Sequence, residues 1–106
     1  MILEIAEFNV RPEDSESFEA AMHECIPVIG SSPGYLGHSL YRSQESPGRF
    51  VMEVRWATLE AHTQGFRESP AFEVWKARLG HFRGGARVEH FETVFVNFPE
   101  LVRDLE

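Results

Sequence analysis

Histidine has an unperturbed pKa near neutrality, which suits it to move protons at working pH. The chain carries five, at positions 23, 38, 62, 81 and 90. His62 lies in WATLEAHTQGFRESPAFEVW, the stretch from Trp56 to Trp75 that directly follows the apolar segment FVMEVRW. Trp56, Phe66, Phe72 and Trp75 surround it in sequence and could wall a pocket for a flat aromatic ligand. The same spacing also suits an ordinary packed core. His90, in VEHFETV, shares its strand parity with Val88 and Glu92 and is the second candidate base. His38 alternates with Leu36 and Leu40, so an inward position beside a ligand is credible. His23 and His81 read as surface residues. Arg42, Arg55 and Arg67 could meet an anionic substrate, although an arginine in such a position usually faces water. No two histidines stand four apart and Cys25 has no cysteine partner, so no metal site is expected. Gly84-Gly85 reads as a turn, not a phosphate loop.

These residues need elements to hold them. Ile2 to Val10 reads as a strand. Phe18, Ala21, Met22, Cys25, Ile26 and Ile29 recur at steps of three and four, one face of a helix that Pro27 and the Gly30–Gly34 segment bring to an end. Tyr35 to Ser43 and Arg49 to Trp56 read as strands joined by a hairpin through Gln44–Gly48. Thr58 caps a short helix through His62 and Gln64, with Gly65 as its stop. Ser69-Pro70 opens the next helix, with serine at the cap and proline at the first helical position. His81 to Arg87 reads as a loop and Val88 to Val96 as the fourth strand. Phe98 to Glu106 forms a tail with Leu101, Val102 and Leu105 at helical spacing.

The order predicts an α+β, ferredoxin-like split βαβ fold: a four-stranded antiparallel sheet, ordered 4-1-3-2, with helices on one face. Residues 1–97 make the domain and 98–106 a tail packing on the domain or on a partner. Apolar residues occupy both parities of the first, third and fourth strands. Helices of one chain cover only one face, so the other predicts a two-fold homodimer with the sheets packed as a barrel.

Composition narrows the function. A chain of 106 residues is one domain. A net charge of −7, with the basic residues scattered, argues against nucleic acid and anionic membrane surfaces. No apolar run is long enough to span a bilayer and no signal peptide is visible, which makes the cytoplasm the default compartment. Cys25 lies on the helical apolar stripe and reads as a buried small hydrophobe.

The segments PGYLGHSLYRS, FVMEVRWATLEAH, GFRESPAFEVWKARL and VEHFETV resemble the antibiotic biosynthesis monooxygenase superfamily of small dimeric α+β barrels. The resemblance implies a homodimer with a pocket in each subunit, between sheet and helices. It implies a cofactor-independent monooxygenase acting on a small aromatic or quinol-like substrate. A non-catalytic barrel holding a small hydrophobic ligand and a signal-modifying isomerase-type enzyme are the alternatives. Haem-degrading relatives use an asparagine on the first strand, where this chain has Ala6. They use a ligating histidine where it has Trp75-Lys76. Both departures predict a protein without haem, and flavin and metal are not expected either. On the monooxygenase reading His62 is the base and His90 its alternative. Trp56, Phe66, Phe72, Trp75 and His38 would contact the substrate.

Overall fold

Ile2–Asn9 (β1), Tyr35–Arg42 (β2), Arg49–Trp56 (β3) and Ala86–Glu92 (β4) form one antiparallel sheet in the computed structural model, which describes residues 1–82 and 86–99. The strand order is β2-β3-β1-β4, the order the sequence predicts. Register explains the burial. Ile2 faces Trp56 and Asn9 faces Arg49, so the even-numbered residues of both central strands share one face. Ala6, Phe8 and Val10 are buried there with Phe50, Met52, Val54 and Trp56. Ser15–Glu24 (α1), Ile26–Gly30 (α2) and Pro70–Leu79 (α3) supply Phe18, Met22, Ile29, Trp75 and Leu79 to the same core. The Phe18 ring lies at its centre, 5.2 Å from Phe8, 4.8 Å from Phe50 and 5.3 Å from Phe82. Cys25 is fully buried with them, and burial pushes its thiol pKa up.

Four local expectations are corrected. The first helix is two helices that meet at Cys25, because Pro27 lies in the first turn of α2, where its missing N–H costs nothing. Ile26 is consequently exposed and lies off the buried stripe on which its spacing places it. In β2 an irregularity between Tyr35 and Gly37 keeps His38 and Leu40 on the helix side but leaves Leu36 exposed. The fourth strand starts at Ala86 and ends at Glu92, not at Val96. Among the described residues its only ladder is with β1, where Glu92 already faces Ile2 at the start of that strand. Of the expected loop from His81 to Arg87, the last two residues therefore belong to the strand. Positions 83–85 and the tail from Glu100 onward lie outside the described residues.

The β2–β3 connection ends at Gly48, whose φ of +85° suits glycine. A Cβ there would collide with the Val10 carbonyl, and the turn is held by Val10 N–H donating to Gly48 O at 2.8 Å.

The connection between β3 and α3 builds the site. Thr58 Oγ1 accepts the Ala61 N–H at 3.1 Å, as the cap reading requires. The helix does not stop at Gly65. Ala61–Phe66 widens into a π-helical turn, in which Arg67 N–H donates five residues back to His62 O at 3.1 Å. Such turns recur at functional sites. Ser69 then takes an extended backbone and its Oγ accepts the Phe72 N–H at 3.4 Å, starting α3 with Pro70 in its first turn.

Candidate functional site

A cavity of about 860 Å³ opens between the sheet, the π-helical turn and α3. Its wall is mostly apolar. Phe66 is the hub, with Phe72 at 5.4 Å, Trp75 at 5.8 Å and Trp56 at 5.9 Å between ring centroids. His62, Phe66, Phe72 and Trp75 line the cavity. Trp56 stands behind them, fully buried, and holds the polar groups in place. His38 is elsewhere. Its Nδ1 lies 2.6 Å from the Tyr35 hydroxyl, beside Glu19, Met22 and His23 under α1.

The residue the sequence reading missed is Glu4. It sits on the cavity wall and is 4% exposed. Its Oε1 accepts the Trp56 indole N–H at 2.9 Å and lies 3.4 Å from His62 Nε2. His62 in turn stacks on the Trp56 ring, 5.2 Å away and tilted by 15°. His62 Nδ1 is 2.8 Å from His90 Nε2. The result is a chain of three titratable groups, Glu4–His62–His90. It arises from pairing: Glu4 faces Val54 on one side and His90 on the other, while the π-helical turn lowers His62 over both. A signal existed. Ile2, Ala6, Phe8 and Val10 alternate on the core face, so Glu4 is an acid inside an apolar stripe.

Burial governs the protonation states. It raises the Glu4 carboxyl above its ordinary pKa, opposed by the Trp56 N–H and by the charge of Arg67. It lowers His62 to about 4, helped by the charges of Arg67 and His90. His90 is lowered too, first by burial and then by Arg67. Both imidazoles are therefore neutral at pH 7, and each has one N–H. One ring nitrogen donates to the other across the His62 Nδ1–His90 Nε2 contact, while His62 Nε2 faces the Glu4 carboxyl at 3.4 Å.

The nitrogens of the two histidines are too close to share a metal ion. Zinc holds its nitrogen ligands tetrahedrally at about 2.0–2.1 Å each, which would separate a pair by about 3.3 Å. Among the described residues no group of three or more His, Cys, Asp or Glu side chains could hold a metal.

The buried histidine has a measurable consequence. Between its ordinary pKa of 6.5 and the folded value of about 4, the unfolded chain binds a proton that the folded chain does not. Stability therefore falls as pH drops through that window, and His90 adds in the same sense. Glu4, raised by burial, acts oppositely: the folded state takes its proton first, and that contribution is lost as pH rises. His62→Gln should flatten the decline in urea-unfolding free energy across that window. Equal slopes in the variant and the wild type would remove His62 from this account.

A ferredoxin-like sheet, helices on one face and a cavity between them define a small α+β domain. The chain belongs to the antibiotic biosynthesis monooxygenase family, whose model matches residues 1–78. It is 37% identical over 95 residues to the uncharacterized protein YczJ of Bacillus subtilis, covering 89% of this chain and all of that one. A crystal structure from Bordetella bronchiseptica, assigned to the same family, superimposes with a TM-score of 0.84 at 34% identity, over 89% of this chain and 97% of that one. SnoaB from Streptomyces nogalater, a cofactor-independent oxygenase, shares the fold with a TM-score of 0.70 at 20% identity, over 93% of this chain and 97% of its own. Among the described residues no helix is long and apolar enough to cross a membrane.

Proposed function

We propose that this protein is a cofactor-independent monooxygenase acting on a small aromatic or quinol-like substrate. The observation that carries the reading is the Glu4–His62–His90 chain, which meets an aromatic-walled cavity at its two buried members, Glu4 and His62. Such chemistry needs a base for a phenolic or quinol proton. The resulting anion reduces O₂ and forms a carbon–oxygen bond. The O–O bond then breaks, leaving one oxygen on the ring system and the other as water. A dry, apolar pocket keeps the anion from being reprotonated by solvent. Glu4 and His62 take the proton as a unit, and His90 connects that unit to the sheet edge. Family membership supports the reading, as does the activity of the structural neighbour SnoaB.

Oxygen uptake with a panel of quinols, after metal and flavin have been removed, is the test. Substrate-dependent uptake without added cofactor is expected. Binding without uptake would favour the second reading, a non-catalytic barrel for a hydrophobic ligand. That reading draws on one feature: both ring nitrogens of His62 already face protein partners.

The working unit on this proposal is a homodimer. Leu3, Ile5 and Val51 lie on the sheet face away from the buried core, with Tyr41 and Phe91, which are 51% and 42% exposed. Val94 and Phe95 beyond β4 are 91% and 82% exposed. The same face also carries Glu7, Glu53 and Glu89 with Arg55 and Arg87, so a second copy could offer both signs of charge. Sedimentation at micromolar concentration should give the dimer mass. Ile5→Asp should give a folded monomer, because burying an unpaired charge costs several kcal/mol. A wild-type monomer would end the proposal.

A further inference from the structure

We propose that the cavity is built for an aromatic carboxylate, with the ring among Phe66, Phe72 and Trp75 and the acid group held by Arg67 at the mouth. This rests on the aromatic-substrate reading above and adds the charge of the substrate.

Charge is distributed unusually around the cavity. The chain has 17 acidic residues and 10 lysines and arginines. Yet among the described residues the only acid on the cavity wall is Glu4, while Arg67 and Lys76 both line it. Glu4 is sequestered, its Oε1 held against Trp56 and His62. The two cations are on the exposed side. Most other arginines are committed: Arg11 to Asp14, Arg42 to Glu19, Arg49 to Glu7, Arg55 to Glu53 and Arg78 to Glu24. Arg67 has no carboxylate within 4.0 Å among the described residues, in a protein with acids to spare.

Its position is fixed by the backbone. The five-residue bond from Arg67 N–H to His62 O anchors it directly after the π-helical turn, over the polar chain. Its charge influences Glu4, His62 and His90. Lys76 lies one side of the mouth, with Nζ 5.0 Å from the Phe72 ring centroid and 3.2 Å from Glu73. The planar guanidinium of Arg67 matches a carboxylate in bidentate fashion, whereas Lys76, already paired, serves as a supporting point charge.

The angles of the wall set the rest of the ligand: Phe66 meets Trp75 at 85° and Phe72 at 69°. A flat ring that stacks on one of these faces meets the others edge-on, and an acid group on its rim then projects toward Arg67. A hydroxyl on the same ring is left pointing inward, toward Glu4 and His62. One orientation therefore serves both ends of the site.

Two oxidised probes that differ only in charge test this without turnover: 9,10-anthraquinone-2-carboxylate and 9,10-anthraquinone-2-carboxamide. Binding is read from quenching of tryptophan fluorescence and checked by calorimetry. The wild type should bind the carboxylate about 10-fold or more tightly than the amide, the range of a charge-assisted hydrogen bond. Arg67→Gln should erase that preference while still binding the amide, with unchanged melting. Lys76→Gln should reduce it less. Equal affinity for the two probes in the wild type would overturn the charge assignment alone, as would a preference that survives Arg67→Gln. Failure of both probes to bind the wild type would overturn the aromatic site on which the proposal rests.

Discussion

Glu4→Gln and His62→Gln should each lower turnover on a quinol substrate by about 100- to 10,000-fold, the usual contribution of a positioned acid–base group. The two residues share one contact, between Glu4 Oε1 and His62 Nε2. They should therefore behave as a unit, and the double variant should be little worse than the worse single one. Glutamine keeps hydrogen-bonding capacity at both positions but cannot hold the transferred proton. His90→Phe should have a smaller effect, because His90 meets His62 but does not line the cavity. Oxygen-electrode rates, with circular dichroism to verify folding, make the comparison. Full activity in His62→Gln would take the imidazole out of the chemistry and leave Glu4 as the base. Full activity in both would dismiss the whole chain.

Trp56→Ala should be the most destabilising substitution near the site. Deleting a buried tryptophan costs roughly 3–5 kcal/mol. Here the loss compounds. Glu4 Oε1 would lose its indole donor, and His62 would lose the ring on which it stacks. An unpaired buried polar group adds about 1–3 kcal/mol. Against a total stability of about 5–15 kcal/mol, the variant should be largely unfolded in mild urea. Trp56→Phe separates the two effects. It keeps most of the packing and removes only the N–H. That N–H holds the Glu4 pKa down, so its loss should move the carboxyl pKa further up. The acid limb of the pH–rate profile should shift upward with it, while stability falls by about 1–3 kcal/mol. Urea unfolding gives the stability, and kcat against pH gives the shift. A Trp56→Phe enzyme with an unmoved profile would show that the indole serves packing alone.

Alternation in the strands and the order of the elements were enough to predict the sheet and its strand order. Phe50, Met52, Val54 and Trp56 repeat every second residue, and a one-residue slip would turn all four toward water. Ser69-Pro70 likewise marked the start of α3, because the cap and the restricted φ are local properties. The family was also legible in the stretches from Pro33 to Val94. Local pattern could not tell where β4 ends, since that depends on how far β1 extends beside it. Nor could it tell that Gly65 lies inside a widened turn, a geometry that depends on how His62 packs against Trp56. The aromatics on the wall were foreseeable from their helical spacing. The joining of Glu4, His62 and His90 was not, because the three are contributed by two strands and a turn far apart in sequence. Only cross-strand register placed Glu4 beside His90, and only the fold over the sheet brought His62 to them both.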